Sequence, residues 1–180
     1  MKTIAFAGMP FSGKSEAVRI AKDYNIPVIR MGDMIWEETK KQGLELNDKN
    51  VGTIANDMRK THGMDIWAKR TLEKIKSMDE VKALVIDGIR NIEEIEIFEK
   101  ELGEDFVVVA VQVSDELRYQ RAMNRDREDD SKDLSLIKER DKRELSWGLG
   151  NVIASADIVI TNEDGIEEFQ GKIKDIFNKI

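Results

Sequence analysis

The sequence predicts a doubly wound α/β domain built on a five-stranded parallel sheet, and three observations lead to this fold class. Five short apolar runs alternate with segments of helical period. The apolar runs lack the polar–apolar alternation of half-exposed strands, as expected where helices cover both faces of a parallel sheet. The chain has 180 residues, of which 41% are hydrophobic and 36% charged, and this suits a single globular domain.

The predicted strands are spread along the whole chain. They lie at residues 3–7 (TIAFA), 27–30, 83–86 (ALVI), 106–113 (FVVVAVQV) and 157–161 (DIVIT). Helical segments separate them, with one helix expected in each connection except the long one between the second and third strands. This β-α-β order is typical of a doubly wound fold.

Several connecting segments carry the marks of helices. The first is predicted at residues 15–24, and Gly43 and Gly63 are plausible helix terminators. Two later helices each present one apolar face, followed in the first case by Gly103 as a stop signal. These faces consist of Ile95, Phe98 and Leu102, and of Ile166, Phe169, Ile173, Ile176 and Ile180.

The first strand leads into a phosphate-binding loop. Residues 8–15 (GMPFSGKS) fit the pattern G-x-x-x-x-G-K-[ST] at every fixed position. Glycine allows backbone conformations and close approaches that a Cβ atom would obstruct, so successive N–H groups can point at phosphate oxygens. Lys14 would bridge the β- and γ-phosphates of ATP, and Ser15 would bind Mg²⁺ through its hydroxyl. The predicted nucleotide-binding residues are Gly8, Met9, Pro10, Phe11, Ser12, Gly13, Lys14 and Ser15.

A second anchor for magnesium follows the third strand. Asp87 comes directly after residues 83–86, and an apolar strand ending in Asp is the Walker B arrangement, whose carboxylate holds the metal, often through water. Ser15 and Asp87 are therefore the predicted Mg²⁺ ligands. With one histidine and no cysteine, the chain offers no other metal site.

Two segments resemble nucleoside monophosphate kinases. Residues 87–90 (DGIR) are similar to their D-G-x-x-R stretch, shortened by one residue, in which the arginine holds the acceptor phosphate. Residues 31–34 (MGDM) look like the T-G-D-[ML] segment of adenylate kinases, on the acceptor side. The resemblance implies catalytic roles for Arg90 and Asp33. The residues alone leave open that Arg90 is a surface loop arginine and that Asp33 caps a helix.

The charged run at residues 125–133 (RDREDDSKD) has two interpretations. On composition alone it is a solvated loop. Residues 127–130 (REDD), however, resemble the R-x-D-D of the adenylate kinase lid, which implies a short lid at about 124–136. A closing lid supplies cations as charge moves between donor and acceptor. The resemblance therefore implies catalytic roles for Arg125 and Arg140.

The C-terminal third resembles dephospho-coenzyme A kinases. Residues 156–162 (ADIVITN) fit their A-D-x-x-I-x-N signature, which implies that Asn162, with Arg121 on the preceding helix, helps to bind the nucleotide. Nearly the whole chain is similar to a mainly archaeal family of P-loop kinase-like proteins related to both kinase groups. The resemblance implies a P-loop NTPase fold of the nucleoside monophosphate kinase type in one domain at 1–180, with a helical acceptor lobe at 33–78.

The two resemblances imply different acceptors, and the residues leave both open. A sugar hydroxyl, as in dephospho-coenzyme A, must lose a proton, and Asp33 is the candidate base. A nucleoside monophosphate presents an ionised phosphate, which needs arginines and no base. Candidates for that role are Arg30, Arg59, Arg70 and Arg90, although Arg59 also lies near a predicted helix end, where a cation favours the helix dipole.

Composition narrows the remaining function classes. The net charge of -7 argues against broad nucleic-acid binding and disfavours a polynucleotide kinase. Without cysteine there are no disulfides or thiol nucleophiles. The chain shows neither a signal peptide nor a run of about 18 apolar residues, so we expect a cytoplasmic protein without membrane segments, acting on small nucleotides with ATP and Mg²⁺. The competing hypothesis is a nucleotide-dependent regulatory ATPase that acts on a protein partner.

Overall fold

Five parallel strands form the sheet, in the order β2-β3-β1-β4-β5. The computed structural model describes residues 1–124 and 133–179. Each strand matches its predicted run to within one residue at either end, which confirms the predicted fold class. The strands are β1 (Lys2–Ala7), β2 (Val28–Arg30), β3 (Ala83–Asp87), β4 (Phe106–Gln112) and β5 (Ile158–Thr161).

The described ranges contain nine α-helices, of which eight lie between strands and the last, α9, follows β5. The long connection predicted at 33–78 consists of α2, α3 and α4, and a short 3-10 helix at Gly103–Asp105 follows α5. The helices are α1 (Lys14–Asp23), α2 (Met31–Lys41), α3 (Asp48–His62), α4 (Ile66–Lys76), α5 (Ile92–Leu102), α6 (Asp115–Asn124), α7 (Leu134–Ser146), α8 (Leu149–Ala154) and α9 (Ile166–Phe177). None of them is long and apolar enough to cross a membrane.

The expectation of a single helix between β4 and β5 is wrong, because α6, α7 and α8 all lie there. Helix α7 cannot be recognised from the periodic spacing of apolar residues, and the reason is physical. Its buried residues are Ile137, Asp141 and Glu144, so two of the three positions that face the protein are acidic. The predicted lid at 124–136 starts at the end of α6 and reaches the first turn of α7; its residues 125–132, with Arg125, lie outside the described part.

The core has two layers, one on each face of the sheet. Along β1, Ile4 and Phe6 pack with the apolar side chains of α1 and α9. Ala5 and Ala7, which point the other way, join the cluster formed with α2, α4, α5 and α8. Both faces of the central strand are therefore buried, as expected for a doubly wound sheet.

The predicted apolar faces are largely confirmed. Phe98 is fully buried, as is Ile173 on α9. Ile166 does not belong to the buried face: it is the first residue of α9 and is 55% exposed. Ile180, assigned to the same face, lies outside the described residues.

The strand order determines where a ligand can bind. Because all five strands are parallel, their carboxyl ends meet at one edge of the sheet, and β1 lies between β3 and β4. In register, Asp87 of β3 is opposite Phe6 of β1 on one side and Arg30 of β2 on the other. The loop after β1 therefore lies beside Asp87, in the crevice where open α/β sheets bind ligands.

Candidate functional site

The loop at residues 8–15 has the conformation that phosphate binding requires. Gly8 and Gly13 have φ angles of 153° and 108°, in the region that side chains other than glycine rarely adopt. A Cβ atom at Gly8 would lie 2.7 Å from the carbonyl oxygen of Val111, and one at Gly13 would collide with the amide of Asn162. Phe11 also has a positive φ, of 64°, which the sequence motif does not reveal.

Lys14 lies at the start of α1 and folds back over this loop. Its Nζ donates hydrogen bonds to the carbonyl oxygens of Gly8 at 2.7 Å and Met9 at 3.0 Å. Burial, together with the positive charge of Arg90, lowers the pKa of Lys14 to about 8. An anion at the loop would favour the charged amine and reverse this shift.

Asp87 fits the predicted role of a magnesium ligand. Its Oδ1 atom is buried and has no hydrogen-bond partner among the described residues. A bound cation would satisfy this oxygen, and Ser15 lines the same cavity. No group of three His, Asp or Glu side chains forms a metal cage in the described ranges. Magnesium here would therefore take its other ligands from phosphates and water.

A cavity of about 180 Å³ joins the loop to the helices α2, α3 and α7. Residues 10–15 form one wall, and Asp87 and Arg90 form another. Among the described lining residues, six are basic and three acidic, although the whole chain carries a net charge of -7. The basic ones are Lys14, Arg30, Arg59, Arg90, Arg140 and Arg143, and the acidic ones are Asp48, Asp87 and Glu144. This excess of positive charge suits anionic ligands.

Two predicted catalytic arginines converge on one carboxylate. Arg90 Nε lies 2.8 Å from one oxygen of Glu144, and Arg140 Nε lies 3.3 Å from the other. Burial alone would raise the pKa of Glu144, but the charges of Arg90, Arg140 and Lys14 outweigh it and hold the pKa below its usual value. Glu144 therefore stays ionised and keeps both guanidinium groups at the cavity, a role that no sequence motif indicated.

Helix α3 docks on α7 through a second set of charges. Asp48, the first residue of α3, accepts hydrogen bonds from Arg143 Nη2 at 2.8 and 2.9 Å. Arg140 Nε lies 3.5 Å from the same carboxylate. The acceptor lobe predicted at 33–78 thus meets α7 beside the cavity.

Asn162 and Arg121 lie behind the phosphate loop, away from the cavity lining. Asn162 Nδ2 donates to the carbonyl oxygen of Ser12 at 2.9 Å, and Arg121 Nη2 donates to the carbonyl oxygen of Asn162 at 2.8 Å. Arg118, which is fully buried, donates to the carbonyl oxygen of Pro10 at 3.0 Å and pairs with Asp141. These contacts position the loop, and direct nucleotide binding by Asn162 and Arg121 stays a prediction.

The structure excludes a capping role for Asp33. Helix α2 begins at Met31 with Arg30 as its N-cap, so Asp33 is its third residue. Its half-exposed carboxylate lies 3.6 Å from Arg30 and is not among the atoms lining the cavity. A catalytic role for Asp33 stays a prediction.

The family profile described as an AAA domain matches residues 7–138. A UPF0200 protein of Methanosarcina acetivorans is 44% identical over 178 residues, which cover 99% of this chain and 95% of the relative. The UPF0200/UPF0201 protein of Archaeoglobus fulgidus is 43% identical over 181 residues; the match covers 100% of this chain but only 56% of that relative.

Among solved structures, shikimate kinase from Aquifex aeolicus superposes with a TM-score of 0.55 at 18% sequence identity. The superposition covers 98% of this chain and 96% of the kinase. At this identity the likeness shows the fold alone, which is a P-loop fold of the kinase type.

Proposed function

The chain belongs to the UPF0200 family of archaeal P-loop proteins, and from this premise we propose that it is a cytoplasmic, ATP- and Mg²⁺-dependent phosphotransferase. Its acceptor is a small nucleotide-like molecule, of the nucleoside monophosphate or dephospho-coenzyme A type. The observation that best supports this proposal is that the phosphate loop and five arginines line one cavity. Donor phosphates and an anionic acceptor can therefore meet in a fixed geometry.

On this proposal, Lys14 and the N–H groups of the loop hold the β- and γ-phosphates of ATP. Ser15 and Asp87 hold Mg²⁺, which when bound neutralises charge on the phosphates. The bond from the γ-phosphorus to the β,γ-bridging oxygen breaks, a bond to an acceptor oxygen forms, and ADP keeps the electron pair. Arg90 and Arg140, gathered on Glu144, stabilise the charge that moves during this step.

The position of Asp33 favours an acceptor that needs no base. A hydroxyl acceptor would have to pass its proton to a carboxylate within hydrogen-bond reach, but Asp33 lies beside Arg30 and outside the cavity lining. The carboxylates that do line the cavity have other partners: Glu144 pairs with Arg90, Asp48 pairs with Arg143, and Asp87 is the proposed Mg²⁺ ligand. An ionised monophosphate needs only cations, and Arg90 is already at the wall. We therefore place the nucleoside monophosphate ahead of dephospho-coenzyme A.

The test is an acceptor screen. Purified protein with ATP and Mg²⁺ is mixed with nucleoside monophosphates and with dephospho-coenzyme A, and ADP formation is followed. Lys14→Ala is the blank, and Lys69→Ala, which removes a lysine that pairs with Asp65 on the surface, is the matched control. We expect ADP release that depends on the acceptor in the wild type and in Lys69→Ala, and none in Lys14→Ala. If Lys14→Ala retained turnover, the proposal would be contradicted.

A second candidate is a nucleotide-dependent regulatory ATPase with a protein partner. The observation that favours it is the Archaeoglobus relative, in which the sequence related to this chain makes up 56% of a longer polypeptide that bears two family names. Slow ADP release that no acceptor accelerates would support this function. If the protein captured the same partner to the same extent with and without ATP, a nucleotide-dependent regulatory function would be contradicted.

A further inference from the structure

Arg59, one of the four arginines that the sequence suggests for an acceptor phosphate, is a buried cation to which the proposed mechanism gives no role. It lies in the last turn of α3 with Lys60 and His62. Those two residues are exposed, as expected for cations that favour a helix end, whereas the side chain of Arg59 is only 2% exposed. It turns inward and lines the cavity that contains the phosphate loop. The helix-end explanation therefore does not account for Arg59.

The protein holds Arg59 from two sides. Its Nη2 donates to Glu94 Oε1 at 3.1 Å, and its guanidinium carbon lies 4.4 Å from the ring centroid of Trp147. The other oxygen of Glu94 accepts the backbone N–H of Arg90 at 2.7 Å. One carboxylate thus fixes both Arg59 and the loop that carries Arg90.

This pairing leaves most of the guanidinium unsatisfied. Nε and Nη1 of Arg59 are buried and have no hydrogen-bond partner among the described residues. Together they carry three N–H donors. Buried donors are almost always paired in folded proteins, and unpaired ones on a charged group are costly. Anionic ligand oxygens in the cavity would accept from these donors and would screen the repulsion between Arg59 and Arg90, which adds to burial in lowering the pKa of Arg59.

We propose that Arg59, stacked on Trp147, forms an anion subsite that takes the phosphate monoester group of the acceptor. The proposal rests on the function proposed above and names the acceptor group that the cavity recognises. A tetrahedral phosphate offers several acceptor oxygens to the three free N–H donors, and a planar guanidinium suits this contact better than an ammonium does.

The test measures binding without catalysis. A Trp36→Phe protein keeps two tryptophans at the cavity as reporters, Trp147 beside Arg59 and the fully buried Trp67. The phosphate loop is first saturated with Mg²⁺ and a non-hydrolysable ATP analogue. AMP, adenosine and inorganic phosphate are then titrated, and Trp emission and calorimetric heat are recorded. We expect AMP to change the emission, phosphate to compete with it, and adenosine to bind at least tenfold more weakly.

Two substitutions test Arg59 itself. Arg59→Lys keeps a positive charge beside Glu94 but loses the planar donors, and we expect AMP binding to weaken at least tenfold. Arg19→Lys is the matched control, since Arg19 also pairs with a glutamate but lies on the exposed surface of α1 and does not line the cavity. Its AMP affinity should equal that of the parent protein.

If Arg59→Lys fails to fold, the neutral double variant Arg59→Met with Glu94→Gln replaces it, because this change leaves no unpaired buried charge. Equal binding of AMP and adenosine, or unchanged AMP affinity in the folded variant, overturns the subsite. If AMP binds through Arg59 but no ADP forms, the subsite is supported and only the proposed phosphotransferase function is contradicted.

Discussion

Gly52, the fifth residue of α3, provides a test of how this helix, part of the predicted acceptor lobe, packs on α7. A Cβ atom added there would lie 2.7 Å from both Cζ and Nε of Arg143, so the arginine would have to move. The same guanidinium donates to Asp48 at 2.8 and 2.9 Å. The substitution Gly52→Ala therefore strains the contact that joins α3 to α7.

Two opposing contributions determine the size of the effect. Alanine is favoured over glycine inside a helix by about 1 kcal/mol. The pair of Arg143 and Asp48 is partly exposed, at 27% and 29%, and such a pair contributes at most about 1 kcal/mol. Displacing Arg143 also costs packing of its stem against α3. We expect the free energy of unfolding of Gly52→Ala to equal that of the wild type or to fall below it.

Gly171→Ala is the matched control, because Gly171 lies within α9 and nothing lies within 4 Å of the Cβ that would be added. It should gain about 1 kcal/mol, which raises the melting temperature by roughly 2–4 °C in a chain of this size. Thermal and urea unfolding, followed by circular dichroism, measure both variants. A gain in Gly52→Ala as large as that in Gly171→Ala would refute the contact between Arg143 and α3.

Three further predictions concern the donor half of the site. Because the pKa of Lys14 is about 8 in the folded chain and 10.5 in the reference state, the unfolded chain binds more protons between these values. Urea unfolding should therefore show wild-type stability rising relative to Lys14→Met from pH 8 to 10.5, by at most about 3 kcal/mol. Asn162→Ala leaves the buried carbonyl of Ser12 unpaired, so urea unfolding should show a loss of about 1–3 kcal/mol, with weaker nucleotide binding. Asp87→Asn should raise the Mg²⁺ concentration needed for nucleotide binding while stability changes little, since its Oδ1 has no partner among the described residues; an unchanged Mg²⁺ requirement in a titration would contradict this.

The fold and the donor loop could be predicted because local sequence determines them. The five strands are short apolar runs, the central ones buried on both faces, and each ends where a polar or glycine residue interrupts it. The loop motif combines fixed glycines with Lys14 and Ser15 over eight consecutive residues, so its geometry follows from neighbours along the chain.

The carboxylates that hold the predicted arginines could not be predicted, because their contacts join distant parts of the chain. Glu94 and Glu144 are fully or almost fully buried, yet in the sequence each looks like a surface residue of a charged helix. Their partners Arg59 and Arg90 lie on other elements, 35 residues away in the case of Arg59 and Glu94. Periodicity assigns apolar residues to buried faces, so it misses a helix such as α7 whose buried face is mainly acidic.

The two halves of the site are held by different kinds of contact, and this difference suits phosphoryl transfer. Buried hydrogen bonds from Asn162 and Arg118 fix the carbonyl groups of the phosphate loop at 2.9 and 3.0 Å. The lobe side depends on the partly exposed pair of Arg143 and Asp48, which salt screens and which an incoming anion can replace. The start of α3 can therefore separate from α7 at lower cost than its last turn, where Arg59 is buried against Glu94 and Trp147. Under the function proposed above, this division would keep ATP in a fixed position and still let a second substrate enter and leave.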